Sequence, residues 1–507
     1  MISFLIKLWG LAQPYRGRMF LGVLTGIIAG FFEPMIIVTV AMVCGLVFPA
    51  SDLRLGDKLQ SLPYIPSFVP PWLNAVQNSL STGVQGHPAA VIALLAMIPL
   101  VMFLSRLFSY LNIYFLQWVA IRTITDLRIR LFTHLLNLSA GFFNSANSGN
   151  LISRISNDTS ALQNVISNST IIIVKEPATL LFTFGALLFK DWKLTLVSLV
   201  VLPLCIIPIA IFGRKVRRSA GDMQTHYAEL TGVMSESFTG NRIIKAYGLE
   251  NTVVAQFRAT ARKLIGNYMR IVRALEIPGP LTELFGALGV AVMIFYMVLT
   301  SHGKADPTSF IILAGMIFTM YRPVKNLARL QNNLEQARAA SARVFELLAM
   351  QNSIPEPANP KPLVAAGADI QFDGISFSYD SKINLQDIQL TVKAGQLMAL
   401  VGASGSGKTT LTNLLLRFYD PQKGAVRIGG TDIRQVSTVD LRSQIAVVTQ
   451  ETVLFNDTIR RNIELGRPGA TNEEIEAAAR HAHAHEFIME KPQGYDLVIG
   501  EKGVTLS

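Results

Sequence analysis

The chain has 507 residues, half of them apolar and 16% charged, with a formal net charge of +11 and a mean hydropathy of +0.39. That length exceeds one ordinary domain, and the apolar excess points to a membrane protein. The basic residues gather beside apolar runs, as in membrane loops, which argues against nucleic acid as a partner; Cys44 and Cys205 both lie inside apolar runs, which argues against a disulfide framework.

Residues 1–19 carry Lys7, Arg16 and Arg18 and lead into an apolar run too long for a signal peptide, without a clear cleavage site. An interfacial helix entering a first span is expected. Crossing ~30 Å of hydrocarbon takes about 20 apolar residues. Residues 19–48, 89–118, 171–189, 194–212 and 277–299 supply five spans, with Lys190-Asp191-Trp192-Lys193 turning the third into the fourth. A sixth, shorter apolar run at 310–321 continues as an amphipathic helix to about residue 350. Residues 214–273 hold eleven Lys or Arg, whereas 49–88 hold only Arg54 and Lys58. The positive-inside rule therefore puts both termini in the cytoplasm. Residues 121–138 and 223–268 mix apolar and charged positions, as expected of membrane helices continuing into the cytoplasm. Their turns, near Gly141-Phe142-Phe143-Asn144 and Thr239-Gly240-Asn241-Arg242, are candidate contacts with a following domain. No function follows from the external segment 49–88, with Pro63, Pro66, Pro70 and Pro71.

Composition changes again at 351–368, where Pro355, Pro357, Pro360 and Pro362 mark a linker. The expected division is a transmembrane domain at 1–350, the linker, and a second, soluble domain at 369–507. Residues 370–379, 385–392 and 397–401 read as strands opening an α/β domain. Between the apolar run Gln396-Leu397-Met398-Ala399-Leu400-Val401, expected as a buried strand, and a helix at 410–416 lies Gly402-Ala403-Ser404-Gly405-Ser406-Gly407-Lys408-Thr409. In this G-x-x-x-x-G-K-T spacing, glycines let backbone N–H groups converge on a phosphate chain. Lys408 reaches the β- and γ-phosphates, and the Thr409 hydroxyl suits Mg²⁺. Downstream, Thr471 and Glu474 form a capping box for a helix. His481, His483 and His485 follow; i and i+4 share a helix face, but the segment reads as surface helix rather than a metal site.

These features together resemble bacterial ABC exporters of the half-transporter type, with six spans followed by one nucleotide-binding domain. The resemblance covers essentially the whole chain. It implies an all-α transmembrane domain followed by an α/β P-loop (RecA-like) nucleotide-binding domain, incomplete at its end, with ATP and Mg²⁺ as cofactors. Ser376-Phe377-Ser378-Tyr379 resembles the aromatic loop in which Tyr379 stacks on adenine; Gly402, Ser404, Gly405, Ser406, Gly407, Lys408, Thr409 and Thr410 would hold the phosphates. Residues 445–449 followed by Gln450 resemble the Q-loop strand, with Gln450 positioning Mg²⁺ and the attacking water, and 453–459 continue the match. Gly500-Glu501-Lys502-Gly503 resembles the loop that meets the partner's coupling helices, with Lys502 where the family more often has Arg. Leu506-Ser507 would open the L-S-G-G-Q signature. On that resemblance the catalytic glutamate, the Mg²⁺-holding aspartate and the switch histidine are expected beyond Ser507, so this stretch alone supplies a phosphate cradle without the base and is not expected to hydrolyse ATP. A membrane-anchored P-loop GTPase or kinase fits less well, given Tyr379 and Gln450 and no N-K-x-D motif. If the chain truly ends at Ser507, a non-hydrolysing subunit is the alternative.

Charged residues inside spans call for a functional reading. Glu33 and Arg106 each sit about 22–26 Å below the outer surface at 1.5 Å per residue, with Lys175, Glu176, Glu283, Arg322 and Lys325 at similar or slightly greater depth. Mutual pairing, such as Glu33 with Arg106, is one reading; a basic site for an anionic lipid headgroup is the other. Arg106 in Leu104-Ser105-Arg106-Leu107, Lys175 in Val174-Lys175-Glu176 and Lys325 in Arg322-Pro323-Val324-Lys325 resemble the phosphate-binding basic residues of the lipid A flippase branch, and Pro177 departs slightly from it. The resemblance implies a homodimer in a bacterial inner membrane that flips a lipid A-like amphipath, with Glu33 lining the site; multidrug or peptide export is the alternative.

Overall fold

A computed structural model describes residues 2–47, 88–146, 148–190, 229–301, 307–379, 383–449 and 453–500, with isolated positions between 207 and 227. Most of the expected fourth span, residues 49–87, Gln450, Glu501-Lys502-Gly503 and Leu506-Ser507 lie outside the described residues. The chain separates into two compact units, Met1–Leu138 with Phe142–Gln351, and Ser139–Gly141 with Asn352–Ser507.

The first unit is helical. Helix α1, Ile2–Leu11, places Phe4 and Leu8 one turn apart, and both are buried. They pack against Val119, Leu127, Leu131 and Val344, so the N-terminal helix is anchored to protein as well as suited to an interface. A single 3₁₀ turn, Gln13–Tyr15, leads into α2, Arg16–Val47. Helix α3, Pro88–Leu136, has 49 residues, about 70 Å of helix. It exceeds the bilayer core, and the helical extension expected at 121–138 is its far end. Helices α2 and α3 approach closely because α2 presents glycine: a β-carbon at Gly22 would lie 2.8 Å from Leu116, and one at Gly26 2.6 Å from Asn112. The fully buried Asn112 uses that proximity, its Nδ2 donating to the Gly22 carbonyl at 2.7 Å. Small residues at the seam and a polar bond across it are how helices associate in lipid.

The expected turn at 141–144 is itself a short helix, α4, Ala140–Ser145. Beyond it runs a helix broken twice by π turns: α5 Ser148–Ser153, a π turn Arg154–Asp158, α6 Thr159–Asn164, a second π turn Val165–Ser169, and α7 Thr170–Lys190. The breaks coincide with hydroxyl side chains that take backbone carbonyls from the ladder. Ser156 Oγ donates to Ile152 O at 2.8 Å, and Thr170 Oγ1 reaches Val165 O, five residues back, at 3.1 Å. Helices α8 Asn241–Tyr247, α9 Glu250–Glu276, α10 Pro278–Ser301 and α11 Pro307–Ala349 follow; α11 carries the sixth apolar run into its amphipathic extension without interruption. Among the described residues, Gln13–Val43, Leu95–Leu136 and Ser148–Leu188 are long and apolar enough to cross a membrane.

The second unit holds a four-stranded antiparallel sheet in the order β2-β1-β3-β4: β1 Ile370–Ser378, β2 Ile383–Val392, β3 Lys423–Ile428 and β4 Thr431–Asp432. The core joins Phe372, Ile375, Phe377 and Val426 of the sheet to Leu411 and Leu414, which lie on α12, Lys408–Leu415. Two sequence expectations fail here. Residues 397–401 and 445–449 form no strand, and Leu397, Val401 and Val448 are almost fully exposed, at 97%, 92% and 98%. A parallel strand depends on neighbours delivered by other βα units, and among the described residues no strand pairs with either segment. Short helices α13 Thr438–Ser443, α14 Ile459–Glu464, α15 Asn472–His481 and α16 His485–Met489 complete the unit. The capping box of Thr471 and Glu474 is present at the start of α15, and His485 Nδ1 lies 2.8 Å from the Tyr495 hydroxyl, which gives that histidine a structural partner.

Candidate functional site

The glycine-rich loop 402–409 closes on the first turn of α12. Gly405 and Gly407 have φ of +84° and +91°, left-handed values that side-chain-bearing residues adopt at a cost. Gly407 is also sterically obligatory, since a β-carbon there would meet Leu385 Cδ2 at 2.5 Å and Asn384 O at 3.3 Å. Lys408 turns back over the loop: its Nζ donates to the carbonyls of Gly402 and Ala403, each at 2.9 Å, and to Ser406 Oγ at 3.3 Å. Around that ammonium the loop forms a ring at a helix N-terminus, where an anion is favoured. Thr409 is exposed and Thr410 is buried. The donor set fits a nucleotide phosphate chain: left-handed glycines free the backbone, one ammonium stands inside the loop, and an exposed hydroxyl is a hard oxygen ligand of the kind Mg²⁺ takes.

Tyr379 reaches the same helix. Asn413 of α12 donates to its hydroxyl at 3.3 Å, and the Tyr379 backbone N–H donates to Asn384 Oδ1 at 3.0 Å. Its ring stands edge-on to Phe377 and Tyr419, each at 4.9 Å between centroids, and remains 42% exposed. An aromatic ring braced by two others, yet open to solvent beside the phosphate loop, can stack on a base. Gln450, the other expected member of this site, lies outside the described residues.

A second constellation lies in the helical unit. Lys175 Nζ of α7 is 3.3 Å from Glu33 Oε1 of α2, and Thr179 donates to the other carboxylate oxygen at 3.2 Å. One residue along, the buried Glu176 accepts from Asn326 Nδ2 of α11 at 2.6 Å. Three helices are therefore joined by ionic and polar side chains in apolar surroundings. The pairing differs from the one considered from sequence: Glu33 takes Lys175 rather than Arg106. Arg106 is exposed and, among the described residues, has no ion pair or hydrogen bond. Phe108, half a turn away, stacks on Phe32 at 5.7 Å and 8°, which keeps this stretch of α3 against α2. Lys325 Nζ lies 5.7 Å from the Tyr321 ring centroid, at the limit of a cation–π contact.

Sequence reasoning missed Thr179 and Asn326; an uncharged polar residue one helical turn from a charge inside a span is the signal that finds them. It also missed Asp158, whose carboxylate accepts from Arg343 Nε at 2.8 Å and Nη2 at 2.5 Å, and Arg417, 2% exposed, which donates to Pro355 O, Val436 O and Asp420 Oδ1.

Comparison with known proteins supplies the wider setting. Residues 19–324 match the family described as ABC transporter transmembrane region, and residues 385–505 match ABC transporter. The chain is 38% identical over 400 residues to an ATP-dependent lipid A-core flippase of Syntrophus aciditrophicus, covering 79% of this chain and 67% of that protein. To a protein of the same description from Pseudomonas fluorescens it is 32% identical over 486 residues, covering 94% and 79%. A multidrug export ATP-binding/permease protein of Bacillus subtilis is 33% identical over 405 residues, covering 79% and 69%. Among solved structures, a bacterial Atm1-family ABC exporter with ATP bound shares the fold at a TM-score of 0.70 and 23% identity, over 98% of this chain and 82% of that one.

Proposed function

This chain belongs to the ABC transporter family, and we propose that it uses ATP to move an amphipathic, lipid A-like lipid from the inner to the outer leaflet of a bacterial inner membrane. The observation that carries the substrate reading is the Glu33–Lys175 pair with the neighbouring Glu176–Asn326 bond. Ionic side chains cost free energy in an apolar bundle and persist there when a charged ligand uses them. Arg106, unpaired among the described residues, and Lys325 add cations on the flanking helices, a charge set suited to a phosphorylated headgroup. The names of the lipid A-core flippase relatives support the same reading.

In the nucleotide site, Gly402, Ser404, Gly405, Ser406, Gly407 and Thr410 form the phosphate cradle, Lys408 neutralises the β- and γ-phosphates, and Tyr379 stacks on the base. Thr409 and Gln450 would hold Mg²⁺, which supplies charge neutralisation on the phosphates when bound. Two copies act as a homodimer, each loop completed by its partner. Residues 1–350 are the transmembrane domain, 351–368 the linker and 369–507 the nucleotide-binding domain. The eleven basic residues of 214–273 against two in 49–88 support an orientation with both termini in the cytoplasm.

Multidrug export is the second reading, favoured by the Bacillus subtilis relative. The two separate on hydrolysis: with the full-length dimer in nanodiscs, lipid A is expected to raise the ATPase rate more than phospholipids or hydrophobic drugs do. Replacing Arg106, Lys175 and Lys325 with Ala is expected to lower the lipid A-stimulated rate more than the basal one. Equal loss of both rates, or stronger stimulation by drugs, contradicts a headgroup site.

A further inference from the structure

A second cationic site stands apart from Lys175, at the end of the bundle that carries the N-terminus. Arg18, at the start of α2, lies with its guanidinium carbon 3.7 Å from the centroid of the Trp118 ring of α3, and Arg122, one turn beyond Trp118, lies 5.4 Å from the same centroid. Both arginines are exposed, while Trp118 is half-buried. Among the described residues neither guanidinium has an ion pair or a hydrogen bond. Tyr15 braces the indole: it meets the ring edge-on at 5.4 Å and 86°, and its hydroxyl donates to Asp126 at 2.7 Å. Asp126 keeps its charge in that bond and offsets one of the two guanidinium charges without forming an ion pair with either among the described residues, so the cluster stays net positive. Arg16 and Lys7, both exposed, add positive charge on the same N-terminal stretch.

Two like charges brought to one ring repel each other unless an anion lies between or beside them. The position decides which anion. Arg18 and Arg16 precede the apolar run of α2, and Trp118 closes the apolar run of α3, so the cluster sits where a span meets water, the level at which tryptophan and headgroups are found. Guanidinium forks match phosphate oxygens bidentately, and stacking on the indole preorients their planes. We propose that Arg18, Trp118 and Arg122 form a clamp for the phosphate of an anionic phospholipid, a resident lipid distinct from the transported one. Its acyl chains would lie along exposed apolar side chains of α2 and α3 such as Phe20 and Tyr114.

The test is lipid-specific quenching of Trp118. Trp9, Trp72 and Trp192 are replaced by Phe in the full chain, leaving Trp118 as the reporter, and the purified protein is titrated with phosphatidylglycerol or phosphatidylcholine carrying brominated chains. Phosphatidylglycerol is expected to quench at about a tenfold lower mole fraction. The double variant Arg18→Gln/Arg122→Gln is expected to lose that preference, Arg18→Lys/Arg122→Lys to keep part of it, and Lys175→Gln to leave it unchanged. The Lys pair preserves charge, so a folding defect in the Gln pair, seen as altered size-exclusion elution, does not remove the test. Equal quenching by both lipids, or an undiminished preference in the Gln pair, overturns the proposal. So does displacement of the lipid by inorganic phosphate at equal concentration, which would mark a site for free anions.

Discussion

Lys175 and Glu33 form an ion pair at 3.3 Å between α7 and α2, each side chain largely withdrawn from solvent at 17% and 23% exposure. The pair is a strut and an obstacle at once: it ties two helices, and an anionic group approaching Lys175 competes with the Glu33 carboxylate. Removing either partner leaves the other uncompensated. A double-mutant cycle of Glu33→Gln and Lys175→Met is expected to give a coupling energy of about 1–3 kcal/mol, read from thermal or denaturant unfolding in detergent. Additivity within a few tenths of a kcal/mol would show the contact to be energetically empty.

Asp158 and Arg343 join the first π turn to α11 through two charge-assisted hydrogen bonds. Asp158 is buried and Arg343 is not, so the carboxylate has more to lose. Asp158→Asn is expected to destabilise by about 1.5–3 kcal/mol and to speed amide hydrogen exchange across residues 154–169. Unchanged exchange there would mean the π turns are held by their own hydroxyl bonds alone.

Acid sensitivity is expected in the second unit. Burial pushes the Asp432 carboxyl up, but hydrogen bonds from the Arg434 side chain and backbone N–H, with the charges of Arg434 and Arg427, outweigh it and hold the group below its ordinary value. A depressed folded-state pKa means that the stabilisation is present above the unfolded-state value of about 3.9. It disappears as pH falls through the lower folded value. Wild-type protein should therefore lose stability below about pH 4 more steeply than Asp432→Asn; parallel curves would remove Asp432 from the account.

At the nucleotide loop, Gly407→Ala is expected to weaken ATP binding at least tenfold, about 1.4 kcal/mol, because its β-carbon meets Leu385 and Asn384 and its φ is left-handed. Tyr379→Ala should cost affinity while Tyr379→Trp retains it, if the ring stacks on the base. Both are read by displacement of a fluorescent ATP analogue; wild-type affinity in Tyr379→Ala would move the base away from Tyr379, and wild-type affinity in Gly407→Ala would move the phosphates away from this loop.

Much of this arrangement is legible in the sequence because it depends on local signals. Gly405, Gly407 and Lys408 announce the phosphate loop by spacing, Thr471 and Glu474 announce a helix start, and apolar length marks α2 and α3. What was not legible depends on contacts between distant segments. That Glu33 takes Lys175 rather than Arg106 depends on which side chain of the neighbouring helices comes within reach, which helical depth alone does not distinguish. The apolar runs 397–401 and 445–449 read as strands, yet neither forms one and Leu397, Val401 and Val448 are exposed, since a strand is a relation to a neighbour and not a property of one segment. Arg417, buried by bonds to Pro355 and Val436, looks like any surface arginine until those carbonyls are placed around it.

The central claim is that nucleotide at the 402–409 loop drives an anionic lipid through the helical unit. Its most direct measurement is ATP-dependent movement of a labelled lipid A analogue between leaflets of proteoliposomes, followed by chemical quenching of the outward-facing label. Full-length wild-type protein is expected to move the label only with ATP, Lys408→Ala in that protein to move none while inserting normally, and Arg106→Ala/Lys175→Ala/Lys325→Ala to move it several-fold more slowly. Equal movement with and without ATP, or unimpaired movement by the Lys408 variant, contradicts the account.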